Sequence, residues 1–259
     1  MADQPVFPTF DIEGVEFTKL ILGHNPLLGG SYMSQARSRL YRETFTQVEP
    51  IQRIIVRSIE MGVRGMMASL RDGFTDTYRK ALRGAAEETG VLLPTIMIVN
   101  YGFESDVETY RDLNCKVMLV HGQRSDALFI KAERTMQPEF AEMLERIRDE
   151  GFVPAYSTHN GGEVVPAAEA FDAAAINTPI NKIMWRMAPC EEMVISAIRK
   201  TKKRVIAMKP LAMGRIAPQE GMSYVCRMAD VDGIVVGIGH EYEAEETFGA
   251  AHDALSRDA

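Results

Sequence analysis

The chain has 259 residues, 46% of them hydrophobic and 25% charged, with a net charge of −7. That composition supplies a sizeable core and excludes a disordered chain; its acidity gives no electrostatic reason to expect nucleic acid or an anionic membrane as partner, leaving a small-molecule substrate. No apolar run reaches the roughly 18 residues that span a bilayer, Met1 to Phe10 lacks the blocks of a secretion signal, and Cys115, Cys190 and Cys226 match neither a metal motif nor a disulfide framework, so the sequence reads as cytoplasmic with buried thiols and is compatible with an oligomer.

In chain order, a short apolar run at Lys19 to Gly23 predicts the first strand. GHNPLLGG follows, and then Ser31 to Thr46, whose Arg37, Arg39 and Arg42 read as a solvated basic loop or as a lid that meets an anionic group. A helix is expected over Pro50 to Met61, with Ile51, Ile54, Ile55 and Ile59 on one face. Strands at Gly65 to Leu70 and Pro94 to Asn100 each lead into helical spacing, at Asp76 to Thr89 and Ser105 to Leu113. Lys116 to His121 is the fourth strand, and the helical stretch behind it, Ser125 to Glu150, is expected to break at Pro138. The pattern then repeats: strands at Val153 to Thr158, Ala173 to Asn177, Arg204 to Lys209 and Gly233 to Gly239, with helices at Glu163 to Phe171, Glu191 to Lys203, Gln219 to Ala229 and Glu243 to Leu255.

Runs such as RVIAMK, GIVVGIG and KVMLVH are continuously apolar, as parallel strands buried on both faces must be. Eight such units predict one α/β domain over residues 1–259, a (β/α)8 TIM barrel. A doubly wound sheet would call for GxGxxG after the first strand; GHNPLLGG lacks that spacing, and Gly29 and Gly30 read as loop glycines.

In a barrel the chemistry belongs where the strands end. Four of the five histidines, His24, His121, His159 and His240, fall at or just past strand ends, and His252 alone lies on a helix. Asn25, Arg71, Asp72, Asn100, Tyr101, Gln123, Asn160, Asn177, Asn181 and Lys209 fall at the same end, describing a polar pocket. His24, Asp72, His121, His159 and His240 are enough ligands for a divalent metal. No HxH or HExxH spacing marks such a site, and the same rings can serve as acid and base. Lys209 closes an apolar strand, where burial lowers an amine's pKa unless a carboxylate such as Asp72 or Glu241 pairs with it. Trp185, with Met184 and Met187, reads either as an apolar wall against the substrate or as core packing.

VIAMKPLAMGRI and the following DVDGIVVGIGHEYEAEETF resemble the last two units of the aldo-keto reductases. LILGHNPLLGG is similar to that family's first strand and loop, GVRGMMASLRDG to its second unit, VMLVHGQRSD to its fourth and INTPIN to its sixth. The resemblance implies an aldo-keto-reductase-like barrel. It also implies carbonyl reduction with a nicotinamide cofactor, through a tyrosine acid tuned by aspartate and lysine and a histidine that orients the carbonyl. Only the histidine matches, at His121: the aspartate falls on Met67, the tyrosine on Asp72 and the lysine on Asn100, with Tyr101 one residue beyond as a substitute acid. The residues that hold the nicotinamide carboxamide match in part, at His159, Asn160 and Asn177. Where the family supplies basic residues to the cofactor phosphates, this chain has His240, Glu241, Glu243, Glu245 and Glu246, whose charges repel a phosphate, although backbone amides at that helix start can still receive one. NAD(P)H is therefore in doubt as cofactor, and a divalent metal stays among the readings.

The leading expectation is an enzyme acting on a small carbonyl- or hydroxyl-bearing substrate by acid–base or metal-assisted chemistry of the dehydratase, isomerase or lyase type. His121 polarises the substrate oxygen, Asp72 with His24 or His159 moves protons, and Lys209 stabilises an oxyanion. Arg71, Asn25, Asn100, Gln123, Asn160, Asn177, Trp185 and His240 are the expected substrate contacts. The second reading is an NAD(P)H-dependent reductase with Tyr101 or a histidine as proton donor. The third is a barrel that binds a ligand or partner without turnover.

Overall fold

The computed structural model describes residues 7–70, 74–100 and 107–256. Eight parallel strands close into a barrel in chain order: β1 (Leu20–Gly23), β2 (Met66–Ser69), β3 (Thr95–Val99), β4 (Cys115–Val120), β5 (Val153–Ser157), β6 (Ala175–Pro179), β7 (Arg204–Met208) and β8 (Gly233–Gly237). The seam is made by β8 on β1, with Ile234 opposite Leu20 and Gly237 opposite Gly23. Every strand expected from the apolar runs is present.

Alternation along each strand divides the core into two layers, as a two-residue side-chain period requires. Ile21, Met67, Ile96, Val117, Leu119, Ile206 and Val235 point into the barrel, while their neighbours Leu20, Leu22, Met66, Met97, Met118, Val205 and Ile234 point out towards the helices. The outer layer is completed by α1 (Gln35–Thr44), α2 (Val48–Glu60), α3 (Thr75–Thr89), α4 (Val107–Asp112), α5 (Gly122–Ala127), α6 (Pro138–Asp149), α7 (Gly161–Ala167), α8 (Glu191–Lys200), α9 (Pro218–Cys226) and α10 (Glu241–Ser256). The α2 face of Ile51, Ile54, Ile55 and Ile59 is buried as its spacing predicts, at about 1.5–3 kcal/mol per side chain.

An antiparallel hairpin, Thr9–Ile12 with Val15–Thr18, covers the N-terminal end of the barrel. Its two-residue turn puts Glu13 at φ 48° and Gly14 at φ 85°, the left-handed pair that a type I′ turn demands. Phe17, Ile12 and Phe10 pack against the inner layer. Glycine at 65 makes room for this: a Cβ there would stand 2.6 Å from the Phe17 ring.

Three expectations are corrected. Ser31 to Thr46 is not a loop: α1 fills most of it, started by Ser34, whose side chain accepts the Arg37 N–H. Ser125 to Glu150 is broken at Pro138, where α6 starts and the missing N–H costs no hydrogen bond, but the break is wider than expected: α5 ends at Ala127 and a short hairpin (Phe129–Ile130 with Thr135–Met136) intervenes. Of the three free thiols, Cys115 and Cys226 are buried but Cys190 is exposed at the start of α8. No helix among the described residues is long and apolar enough to cross a membrane.

Candidate active site at the barrel mouth

The loops past the C-terminal strand ends enclose a cavity of about 510 Å³. His24, Asn25, His121, His159, Asn177 and Lys209 of the sequence-predicted set line it, with Met67 and Ile98 from the barrel wall. The cavity continues outward past Tyr32 and Met33, along the loop after β7, to Arg37, Glu243 and Glu246 at the start of α10.

His24 follows β1 directly, so the end of that strand delivers it to the mouth. Burial of the ring, reinforced by His121 and Lys209 nearby, lowers its pKa from 6.5 to about 4, so it is neutral near pH 7. Its ring donates to the backbone carbonyl of Met67, which leaves the other nitrogen as a proton acceptor. His121 follows β4 and caps α5: its Nδ1 accepts the Gln123 N–H at 3.3 Å, so the proton of the neutral ring sits on Nε2. In its neutral form the His24 ring thus keeps one acceptor nitrogen, and the His121 ring one donor.

Lys209 follows β7 with φ 58°. Burial, reinforced by Arg186, lowers its pKa from 10.5 to about 8. Its Nζ lies 3.1 Å from the Met208 sulfur and over the Tyr32 ring, 5.6 Å from the centroid. The pairing with Glu241 does not form, because Glu241 faces Arg53 at 3.8 Å. His159 is anchored by Asp126 of α5, whose carboxylate accepts the His159 backbone N–H at 3.1 Å and stands 3.6 Å from its Nδ1. Gly122 lets that ring sit close, since a Cβ there would be 3.0 Å from Nδ1. Asn177 is buried in the wall, donating to the Ile206 carbonyl at 3.1 Å and accepting from Ser157 at 3.5 Å.

The remaining candidates divide. Asn100, Gln123, Asn160, Trp185 and His240 do not line the cavity. Gln123 is exposed on the first turn of α5, and the Asn160 amide is tied to Glu163 at 2.9 Å. Trp185 is held outside the lining by the buried Asn181, which bonds both its N–H, at 2.8 Å, and its carbonyl, at 2.9 Å. Met187 beside it is core, whereas Met184 is exposed, so no Met–Trp wall faces the cavity. His240 caps α10 through the Tyr242 N–H and stacks on the Tyr242 ring at 4.3 Å, which turns it from the mouth. That sets His240 apart from His24, His121 and His159, and no group of three His, Cys, Asp or Glu among the described residues is arranged to hold a metal. Arg71, Asp72 and Tyr101 lie outside the described residues.

Sequence reading missed Asp126, Tyr32 and the rim pair of Arg37 with Glu243. The Glu243 carboxylate accepts the Gly239 N–H at 2.8 Å and forms an ion pair with Arg37, whose Nε also donates to Tyr41 at 2.8 Å. One carboxylate therefore occupies both a backbone donor and a cation at the start of α10.

No protein-family model and no curated protein matches the sequence. Solved structures do match over nearly the whole chain. A Pseudomonas aeruginosa protein, PA4992, provisionally described as an aldo-keto reductase, superposes with a TM-score of 0.68 at 15% identity, covering 98% of both chains. The holo form of aldo-keto reductase AKR11C1 from Bacillus halodurans gives 0.63 at 13% identity over 98% of this chain and 96% of that one. A Bombyx mori aldo-keto reductase (AKR2E4) in complex with NADP gives 0.63 at 11% identity over 98% and 93%. At these identities the likeness is one of fold: the chain is a (β/α)8 barrel of the aldo-keto reductase kind.

Proposed function

Starting from that fold, we propose that the chain is an enzyme moving protons on a small carbonyl- or hydroxyl-bearing substrate, in a dehydration, isomerisation or lyase-type cleavage without hydride transfer. The observation that carries this reading is the convergence of His24, His121 and Lys209 on one cavity, each in a defined protonation role. His121 offers Nε2–H to the substrate oxygen. His24, neutral and with one nitrogen committed to Met67, accepts a proton from the carbon or hydroxyl beside it. Lys209 is mostly protonated at neutral pH but near its transition, which suits a group that stabilises an oxyanion and then gives up the proton. Asn25 and Asn177 complete the polar wall, and His159, steadied by Asp126, is a second proton carrier at the same mouth.

The fold implies a nicotinamide dinucleotide, and the residues at the start of α10 do not fit its phosphates. Such a cofactor would supply a hydride at the barrel centre, with its phosphates at the rim. At the rim the Glu243 carboxylate already takes the Gly239 N–H and Arg37, and Glu246 lines the same passage. A phosphate there would meet like charge in place of donors. At the centre, Met67 holds the position that the resemblance gives to the tuning aspartate.

The test is proton exchange in deuterated water. A panel of hydroxy acids, ketones and sugars is incubated with the protein, without cofactor, and followed by NMR. Deuterium incorporation or conversion of a panel member that vanishes in His121→Ala is the expected result. Turnover that requires NADPH, with no exchange in its absence, would overturn the reading.

A further inference from the structure

Outside the cavity proper, the loops after β6 and β7 bring three cations onto two aromatic rings. The guanidiniums of Arg186 and Arg215 lie over the Trp185 ring, 5.3 and 5.9 Å from its centroid. Trp185 meets Tyr32 edge to face at 6.0 Å, and Lys209 lies over Tyr32. Although the chain is acidic overall, no carboxylate among the described residues forms an ion pair with Arg186, Arg215 or Lys209. A nearby acid that could serve, Glu220, is taken by Lys182 at 2.6 Å. The planar guanidinium keeps its fork of N–H donors available while its face rests on an indole.

The two loops are also held in an unusual backbone state. Eight non-glycine residues among those described have positive φ, and five of them, Met184, Arg186, Lys209, Ala212 and Met213, belong to these loops. Left-handed backbone at side-chain-bearing residues persists only where the surroundings enforce it, and it gathers at ligand sites. In the loop after β6 the buried Asn181 fastens Trp185, between Met184 and Arg186, at both its N–H and its carbonyl. The cluster joins the mouth directly: Tyr32, Lys209, Met213 and Gly214 line the cavity.

We propose that this rim is an anion-binding subsite, in which Arg186 and Arg215, stacked on Trp185, hold a carboxylate or phosphate group of the ligand while the rest of that ligand reaches past Tyr32 and Lys209 into the mouth. As a statement about the substrate, this rests on the function proposed above and narrows it to oxygenated acids or phosphate esters. As a statement about anion binding, it rests on the loop geometry.

Trp185 is the only tryptophan of the chain, so its emission reads this site and no other. Titration with sodium succinate and with inorganic phosphate, at ionic strength fixed by sodium chloride, should give a saturable change in that emission. Affinity should fall at least tenfold in Arg186→Gln and Arg215→Gln and stay as in wild type in Arg199→Gln, an exposed arginine of α8 paired with Asp230. A preference for succinate marks a carboxylate ligand, and a preference for phosphate marks a phosphate ester. No saturable change with either anion, or equal affinity in the Arg186 and Arg215 variants, would overturn the subsite. Because the readout needs no turnover, anion binding without proton exchange on any panel member would count against the proposed reaction alone, and exchange without anion binding against the subsite alone.

Discussion

The two ends of the barrel are built from the same eight strands and do opposite things. At the N-terminal end, Phe10 and Phe17 stack at 6.0 Å and, with Ile12, close the cylinder over Ile21, Ile96 and Val117; every side chain there gains by leaving water. At the C-terminal end, His24 is held neutral and Lys209 is kept short of its full charge by the same removal from water. Burial stabilises the fold at one end and tunes proton affinity, at some cost in stability, at the other. The division matches what a barrel allows, since loops past the strand ends can change without disturbing the layers below them.

The largest effect expected from breaking this contrast is at the mouth. His121→Ala should lower proton exchange by about 10²–10⁴ while leaving the thermal transition within a few degrees. Loss of folded protein on melting would instead reduce His121 to its role as the cap of α5. At the other end, Phe17→Ala should cost about 3–5 kcal/mol in urea denaturation, with exchange per folded molecule unchanged below the transition. A drop in exchange equal to that of the mouth variant would erase the division.

Smaller effects sharpen it. The folded-state pKa of His24 lies below its free value of 6.5, so the unfolded chain takes up the proton first. The contribution of this group is fully present above about pH 6.5 and is lost as pH falls towards about 4, on the order of 3 kcal/mol. Denaturation across that range should show the slope, and His24→Asn should flatten it. Glu243→Gln should cost only about 0.5–1 kcal/mol by the same assay, because its ion pair with Arg37 is partly exposed. Its larger consequence is that Arg37 is released to bind phosphate at the rim, readable by calorimetry with pyrophosphate.

The barrel was legible because strands buried on both faces have to be continuously apolar, and KVMLVH or GIVVGIG leave little other use for such runs. Helix α1 was not, since QARSRLYRET buries only Ser38 and Tyr41 and so shows no apolar face. The hairpin after α5 has strands of two residues, too short for any alternation to register. At the site, His24, Asn25, His121, His159, Asn177 and Lys209 could be placed because a residue at or just past a strand end has to stand at the mouth. Which of those residues turn inward was not readable: His240, three residues past the end of β8, is drawn off by the Tyr242 ring, whereas His121, directly after β4, lines the cavity. Asp126 sits inside a helix, and Glu243 reads as one of four acids until its bond to the Gly239 N–H is seen.

The Glu243 carboxylate closes the start of α10 to the phosphates of a dinucleotide, and titration of the wild-type protein with NADPH, followed by cofactor fluorescence, tests this most directly. The prediction is no saturable change through the micromolar range in the wild type and a measurable one in Glu243→Ala. Micromolar binding by the wild type, with hydride passed to a carbonyl, would contradict the account and return the mouth to reduction.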